Sequence, residues 1–275
     1  MFAEPARAVV SLPYHARMTR ARKHPYGRKH LVIPDTQVKP GVPTEHLEWI
    51  GRYAAEKKPD VIVHLGDHWD MPSLSSYDKN TRAAEGRRYS EDIQAGNDAM
   101  DLLMAPLYRE YNRSGWWPEM HFLIGNHEQR IERHSNAHPE LHGKVGYQDF
   151  NLWDHYWKVH DFLVPVVIDG VAYSHYWANP MTGKPYGGAA HTRLKNLGFS
   201  FTMGHQQVKD IAERFLPNGR VHRGLVVGAC YQHDEDYKGP QGNRHWRGVI
   251  VKHEVKDGDY NLMEVSLDFL RRRYS

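Results

Sequence analysis

Two stretches decide the fold: VIVHLGDHWD at residues 61–70 and HFLIGNHEQR at residues 121–130. In each stretch a short apolar run stops at a glycine and is followed at once by polar side chains, as in Gly66-Asp67 and Gly125-Asn126. A short apolar run that ends at a glycine is typical of a buried strand. Ligands gather beyond the carboxyl ends of strands in open α/β sheets, so both turns are predicted to lie at a binding edge.

Three further turns have the same layout. The apolar run at residues 30–33 is followed by Asp35-Thr36-Gln37, and later runs end at Ser174-His175 and at Gly204-His205-Gln206-Gln207. Five strand ends that carry oxygen or nitrogen donors are hard to explain by packing alone. They predict one shared site, formed where the strands end.

Helical spacing separates the first strands. Leu47, Ile50 and Ala54 recur at helical intervals, and residues 93–111 form a long helical stretch that Pro106 is expected to kink or shorten. Strands that alternate with helices in this way pair in parallel through right-handed crossovers.

The second half of the chain is dominated by predicted strands. Residues 162–168 and 171–173 flank Asp169-Gly170, a dipeptide that favours a tight hairpin turn, and Asp257-Gly258 is a second hairpin signal. Further strands are predicted at residues 199–203, 224–227, 248–252 and 262–267. The pattern predicts an α/β protein in which two sheets face each other and helices lie outside.

A single domain is predicted for residues 29–275, after a basic and flexible arm at residues 1–28. The alternative for the arm is a tail that contacts phosphates. Three segments without a clear period, at residues 71–92, 134–160 and 176–194, are predicted to be substrate-facing loops. For the aromatic side chains of residues 134–160, a core-facing stripe is the equal alternative.

The composition excludes several classes of protein. The chain of 275 residues has one cysteine, Cys230, so it forms neither an intrachain disulfide nor a thiolate metal cage. No window reaches the ~18 consecutive apolar residues of a membrane span, and the N-terminal residues lack the order of a signal peptide. We therefore expect a cytoplasmic protein that does not bind membranes. The net charge of +3 is too small to indicate a nucleic-acid binder by itself.

The residue types at the predicted edge suit metal-dependent chemistry. An aspartate can bridge two divalent cations, and imidazole and carboxamide groups complete their coordination. Two cations about 3.5–4 Å apart clamp a phosphate and lower the pKa of a shared water, which gives hydroxide at neutral pH. His127, next to Asn126, is the candidate general acid for the leaving alkoxide. Gly66, Gly125 and Gly204 are expected to let the backbone turn sharply beside the ions.

The ordered set resembles the calcineurin-like metallophosphoesterase superfamily, whose pattern runs Asp-x-His, Gly-Asp-x-x-Asp, Gly-Asn-His-Glu/Asp, His and Gly-His-x-His. The matching residues here are Asp35-x-Gln37, Gly66-Asp67-x-x-Asp70, Gly125-Asn126-His127-Glu128, His175 and Gly204-His205-x-Gln207. The resemblance implies a four-layer α/β/β/α sandwich of two mixed sheets. It implies a first metal site formed by Asp35, Gln37, Asp67 and Gln207, and a second metal site formed by Asp67, Asn126, His175 and His205. Asp67 would bridge two divalent ions, and His127 would be the general acid.

Two departures from the family pattern affect the first metal site. Gln37 and Gln207 stand where the family usually has histidines, and a carboxamide oxygen is a harder and weaker donor than imidazole. This site is therefore expected to favour Mn²⁺ or Mg²⁺ over Zn²⁺ or Fe, and to bind its ion loosely. The closing hairpin is similar to the end of compact phage-encoded members, for which the location would be the host cytoplasm.

Several residues have two interpretations. Gln37 and Gln207 are either ligands or hydrogen-bond partners of a bound water. Asp70 is expected to orient another group rather than to bind metal, and Glu128 either does the same or charges the first turn of the following helix. Arg130 is a candidate ligand of the substrate phosphate, with a solvated or ion-paired arginine as the alternative.

The sequence supports three functional hypotheses. The first is a Mn²⁺-preferring phosphodiesterase that acts on small phosphate esters or nucleotides. The second is a DNA-processing nuclease of the same superfamily, indicated by the basic arm and by the cations between Lys79 and Arg88. The third is a scaffold that binds metal without catalysis, indicated by Gln37 and Gln207.

Overall fold

The structure is a computed structural model that describes residues 24–235 and 238–275. Of the predicted basic arm, residues 1–23 lie outside the described residues. The described residues form eleven strands and six α-helices.

The first sheet contains six strands: β1 (Arg28–Ile33), β2 (Val61–His64), β3 (Glu119–Leu123), β4 (Lys158–His160), β10 (Gly248–Lys256) and β11 (Asp259–Ser266). Their order is β11-β10-β1-β2-β3-β4. The first four strands run parallel, as the alternation of strand and helix predicts. Strand β10 is antiparallel to β1 and forms the predicted C-terminal hairpin with β11.

The second sheet contains five strands: β5 (Val166–Ile168), β6 (Val171–Ser174), β7 (Phe201–Met203), β8 (Lys209–Phe215) and β9 (Val221–Val227). Their order is β5-β6-β7-β9-β8. The predicted hairpin about Asp169-Gly170 joins β5 to β6, and β6, β7 and β9 are parallel. The edge strand β8 is antiparallel to β9.

The helices are α1 (Glu45–Lys57), α2 (Tyr89–Ser114), α3 (Arg130–Ala137), α4 (Ala190–Leu197), the short α5 (Gly239–Gly242) and α6 (Leu267–Tyr274). None of the helices in the described ranges is long and apolar enough to cross a bilayer.

Alternation along the strands creates the layers. In β1, Leu31 and Ile33 pack with residues of α1, α2 and α6, while Val32 lies in a second core between the two sheets. In β7, Phe201 and Met203 pack against α4 in a third core. Helices, first sheet, second sheet and helix therefore stack in that order, and the predicted four-layer α/β/β/α sandwich is confirmed.

Pro106 does not end or divide helix α2, which runs without interruption from Tyr89 to Ser114. Its ring is buried and lies close to Gly51 of α1, where a Cβ atom would stand 3.0 Å from the proline Cγ. Close packing of the two helices thus holds the proline inside the helix. This interaction between distant residues overrides the local preference.

The predicted C-terminal strand starts three residues late and ends one residue late, since β11 runs from Asp259 to Ser266, and the chain then forms α6 rather than more extended structure. Ser266 caps this helix by accepting a hydrogen bond from the Phe269 backbone N–H at 3.2 Å. Residues 134–160 and 176–194 also contain regular structure, since α3 and β4 extend into the first segment and α4 into the second. In the first of these segments Phe150 stacks on Trp69 at 4.1 Å, so part of its aromatic set belongs to the core.

Candidate metal centre

Five strands deliver the predicted ligands to one edge of the sandwich. The turns after β1 and β2 are joined because the Gln37 N–H donates to the Asp67 carbonyl at 2.8 Å. In the second sheet the Gly204 N–H donates to the His175 carbonyl at 3.1 Å, which joins the turns after β6 and β7. The two pairs meet where the His205 N–H donates to Asp35 Oδ1 at 3.0 Å.

The second metal site is the more compact part of the centre. Asp67, His175 and His205 each place a potential ligand atom within 4.8 Å of the others. Asn126 Oδ1 lies 2.9 Å from His175 Nε2 and 2.7 Å from His205 Nδ1. One carboxylate, two imidazoles and one amide oxygen thus converge, a donor set that suits a divalent transition metal.

His175 is oriented by the backbone. Its Nδ1 lies 2.7 Å from the Leu65 carbonyl oxygen, which can only accept, so Nδ1 carries the proton and donates. The opposite nitrogen, Nε2, lies 3.4 Å from Asp67 Oδ2 and faces the other ligands. A hydrogen bond to the far nitrogen is the usual way in which a metal-binding histidine is held.

The predicted first metal site would have only oxygen ligands. Asp35 and Gln37 are fully buried, and within the described residues Asp35 Oδ2 and both amide atoms of Gln37 have no hydrogen-bond partner. A buried polar atom without a partner costs roughly 1–3 kcal/mol. A bound cation would satisfy the oxygens, so the residues present fit a divalent ion that prefers oxygen ligands.

The electrostatics also indicate that cations belong here. Burial, together with the charge of Asp67, raises the pKa of Asp35 to about 7. Burial acts in the same direction on Asp67, but the nearby His127 and His175 outweigh it and lower the pKa of this carboxyl. In turn, burial opposes protonation of His175, yet the Asp67 charge raises its pKa to about 9. Two carboxylates that repel each other in a buried site are stabilised by positive charge.

The backbone at the ligands adopts an unusual conformation. Four predicted ligands have left-handed φ angles: 40° at Gln37, 51° at Asp67, 67° at His205 and 58° at Gln207. Residues other than glycine rarely adopt this region, and such outliers collect at functional sites. The strained backbone positions are therefore found at residues that are predicted to bind metal.

The three glycines do not all serve the predicted purpose. Gly66 has a positive φ of 92° and turns the chain as expected, whereas Gly125 and Gly204 have no positive φ. Those two are needed for space, because a Cβ atom at Gly125 would collide with Asp67 Oδ1 and one at Gly204 with Asp35 Oδ1. The glycines let the carboxylates approach the backbone.

His127 is held by Asp70. Its Nδ1 lies 2.6 Å from Asp70 Oδ1, and its Nε2 lies 3.7 Å from Asp67 Oδ2. The position of Asp70 agrees with the orienting role predicted for it. Arg130 donates to the Asp70 carbonyl at 2.7 Å, and its Nη1 lies 3.7 Å from Asp70 Oδ1. Its Nη2 lies 3.3 Å from His127 Nε2, so the guanidinium is ion-paired beside the imidazole, as the alternative to a phosphate ligand predicts.

Glu128 connects two turns instead of charging the helix that follows it. Its Oε2 accepts from the N–H groups of Asp67 and Gly125, both at 2.9 Å. Its Oε1 accepts from His68 at 2.6 Å and from Trp69 at 3.0 Å. The carboxylate thus fixes the loop after β2, and with it the bridging candidate Asp67.

The family model of the calcineurin-like phosphoesterases matches residues 29–247, which is more than half of the chain. The chain belongs to the calcineurin-like phosphoesterase family. Membership confirms the resemblance and the fold, and it supports metal-dependent phosphoester hydrolysis as the general class of activity.

Individual relatives are distant. The Gene 54 protein of Mycobacterium phage L5 is 29% identical over 103 residues, which are 38% of this chain and 37% of the phage protein. The match thus spans little more than a third of that relative. One solved crystal structure aligns with 87% of this chain and 99% of its own length, at 11% identity and a TM-score of 0.38.

A cavity of about 1020 Å³ opens above the centre of this calcineurin-like phosphoesterase. Asp67, Asn126, His127, His205 and Gln207 line its floor. Residues between 72 and 92 line one wall, in line with the prediction that segment 71–92 faces substrate. None of the cavity's lining residues within the described ranges comes from 134–160 or 176–194, so for those segments a substrate-facing role stays a prediction.

The opposite wall was not predicted from the sequence. It includes His233, Glu235 and Lys238, which follow strand β9, and Lys39, which follows the first ligand turn. Lys39 Nζ lies 2.8 Å from Glu235 Oε2 and 3.3 Å from Asp70 Oδ2, so it links the new wall to the partner of His127. The sequence feature that could have predicted this wall is the polar run at residues 231–238, which follows a strand as the ligand-bearing turns do.

Proposed function

We propose that this chain is a dinuclear phosphodiesterase that acts on small phosphate esters or nucleotides, with a preference for Mn²⁺. The observation that carries the proposal is the convergence of Asp67, His175 and His205 beneath one cavity, whose floor includes Asp67 and His205. Beside them, Asp35 and Gln37 are buried with polar side-chain atoms that have no hydrogen-bond partner in the described part of the chain. Asp67 would contact both ions, Asn126, His175 and His205 would complete the second metal site, and Asp35, Gln37 and Gln207 would complete the first metal site.

The bound ions would supply charge for the phosphoryl oxygens and a lower pKa for a coordinated water. The first metal site has only oxygen donors, so Mn²⁺ or Mg²⁺ suits it better than Zn²⁺ or Fe. His175 and His205 give the second metal site a broader choice of transition metal.

His127 is the general acid of the proposal. Asp70 and Asp67 favour the imidazolium form, and although burial opposes it, they raise the pKa of His127 above its ordinary value. Since Nδ1 donates to Asp70, a proton on Nε2 is the one that can reach the leaving oxygen. Arg130 Nη2, which can only donate, lies 3.3 Å from Nε2, so the guanidinium must turn toward the bound phosphate when Nε2 carries this proton. Arg130, beside Nε2, is placed to contact the phosphate that His127 serves.

The cavity favours a small ester over a nucleic acid strand. Its volume of about 1020 Å³ lies at the upper end of the range for small-molecule pockets. Its walls carry cations and carboxylates together, namely Lys39, Arg87, Arg88, Arg130 and Lys238 with Asp78, Glu85, Glu91, Asp92, Asp234 and Glu235. A wall with so many carboxylates repels a polyanion, which would make phosphate contacts along its length.

Turnover of bis-p-nitrophenyl phosphate tests the proposal, with chelator-treated protein supplied with Mn²⁺, Mg²⁺ or Zn²⁺. Metal-dependent turnover is expected, largest with Mn²⁺. His127→Ala should lower turnover by about 10²–10⁴-fold for poor leaving groups without loss of bound metal. His191→Ala, at an exposed histidine, is the matched control and should behave as wild type.

Each alternative predicts a different outcome. No metal-dependent turnover, together with fewer than two ions per chain, would favour the scaffold. Cleavage of single-stranded or duplex DNA with Mn²⁺, without turnover of small esters, would favour the nuclease. If His127→Ala empties the site of metal, the assignment of His127 as the acid is wrong.

A further inference from the structure

The two glutamines of the first metal site differ in how they are held. Both side-chain amide atoms of Gln37 lack a partner in the described part of the chain. Gln207 instead accepts a hydrogen bond at Oε1 from the Tyr231 hydroxyl, at 2.9 Å. Both Gln207 and Tyr231 are buried, so the bond forms away from bulk water.

The direction of this hydrogen bond is set by a third residue. Lys238 Nζ, which can only donate, lies 3.2 Å from the Tyr231 oxygen. The Tyr231 hydroxyl therefore accepts a hydrogen bond from the ammonium and donates its own hydrogen to Gln207. The two hydrogen bonds thus run from Lys238 to Tyr231 and from Tyr231 to Gln207. An amide whose oxygen faces a fixed donor has its orientation fixed, because its NH₂ end cannot accept that hydrogen bond.

Tyr231 is itself anchored to the metal centre. The neighbouring Cys230 N–H donates to the Asp35 carbonyl at 2.8 Å, so the loop that carries the tyrosine is bonded to the ligand turn after β1. On the ring of Tyr231, the Arg247 guanidinium lies 5.0 Å from the centroid. The hydroxyl is thus presented to Gln207 from a fixed position.

We propose that Tyr231 is a positioning residue that presents the Gln207 oxygen to the ion of the first metal site. The inference rests on the proposed function, since it assumes that this site binds a divalent ion. A carboxamide differs from imidazole in having one end that cannot bind metal, so a glutamine ligand needs a partner that distinguishes oxygen from nitrogen. The Tyr231 hydroxyl thus orients Gln207 through a hydrogen bond, as the Leu65 carbonyl orients His175.

Mn²⁺ binding to chelator-treated protein, followed by isothermal titration calorimetry, tests the inference without an activity assay. Wild type should bind one Mn²⁺ tightly at the second metal site and one weakly at the first metal site. Tyr231→Phe removes only the hydroxyl, and it should raise the dissociation constant of the weak event about tenfold or more while sparing the tight event. Tyr173→Phe removes a buried tyrosine hydroxyl elsewhere, beside His30 and Lys252, and should change neither event.

Gln207→Glu shows whether Tyr231 acts through residue 207. Both terminal atoms of glutamate are oxygens, so orientation no longer matters, and this variant should bind the weak Mn²⁺ more tightly than wild type. Tyr231→Phe in the Gln207→Glu background should then have no effect on the weak event.

The possible failures are distinct. Fewer than two ions on wild type would overturn the dinuclear function, and the inference with it. Two ions on wild type, with an unchanged weak event in Tyr231→Phe, would overturn only the inference. An equal loss from Tyr231→Phe in both backgrounds would also overturn it, because the hydroxyl would then act independently of the glutamine.

Discussion

Replacing Glu128 by glutamine should destabilise the fold far more than the change of one atom suggests. Each carboxylate oxygen accepts from two backbone N–H groups at 2.6–3.0 Å. In Glu128→Gln one of the two positions becomes an NH₂ group that faces two donors. Two hydrogen bonds to a charged acceptor, at roughly 1.5–3 kcal/mol each, give an expected loss of about 3–6 kcal/mol.

The charge state of Glu128 decides the outcome. Burial, together with the charge of Asp67, raises the pKa of Glu128 to about 7. Four N–H donors nevertheless surround its two oxygens, which leaves no acceptor site for a carboxyl proton, so we take the residue as ionised. A protonated Glu128 would resemble glutamine, and the substitution would then cost little.

Urea unfolding followed by tryptophan fluorescence measures the difference. Glu48→Gln is the matched control, because the Glu48 side chain is 43% accessible to solvent and its ion pair with Arg109 spans 3.5 Å. The control should change the free energy of unfolding by less than about 0.5 kcal/mol. A loss below about 1 kcal/mol in Glu128→Gln would refute the ionised, four-bond description.

Three further changes test other parts of the structure. Gly204→Ala places a methyl group against Asp35, so Mn²⁺ affinity at the first metal site should fall about tenfold or more while the circular dichroism spectrum stays unchanged. Wild-type affinity in equilibrium dialysis would contradict the close approach of Asp35 to the backbone of Gly204. Asp70→Asn removes the carboxylate that holds His127, and kcat should fall about tenfold to hundredfold for substrates with poor leaving groups while the metal content stays constant. An equal fall for substrates with good leaving groups would contradict the role of His127 as the general acid. Burial lowers the pKa of His46 to about 3. His46 therefore stays neutral in the folded chain, whereas in the unfolded chain it takes up a proton as the pH falls below 6.5. The free energy of unfolding should consequently fall by about 2 kcal/mol between neutral pH and pH 5. His46→Gln should remove this part of the pH dependence in urea titrations, and an unchanged slope would show that His46 is not the cause.

The sequence was sufficient to predict the layers and the edge that carries the site. Both depend on local patterns: alternation along strands such as β1, and polar turns that follow apolar runs at Asp67 and Asn126. Parallel strands bring their carboxyl ends to one edge, so the order of the motifs already implied their proximity. The roles of the individual ligands still rest on the proposal.

Features that depend on distant contacts could not be predicted in this way. The sequence left two roles open for Glu128, orienting another group or charging its own helix, and only the folded chain shows that its oxygens accept from the N–H groups of residues 67–69 and 125. Tyr231 and Lys238 lie beyond the last motif and reach the centre only because their loop is bonded to Asp35. Strand β8 was missed because it lies at an edge with little buried surface, so its apolar residues show no clear alternation.

The replacement of two histidines by glutamines has two interpretations, loss of metal binding or retuning, and the structure favours retuning. In a site released from metal binding, an apolar side chain at Gln37 would avoid the cost of buried amide atoms that have no partner within the described chain. The left-handed backbone at Gln37 and Gln207 would likewise be strain without purpose. Both features are accounted for if the two amide oxygens bind an ion, and the hydrogen bond from Tyr231 to Gln207 supplies the orientation that such a ligand requires.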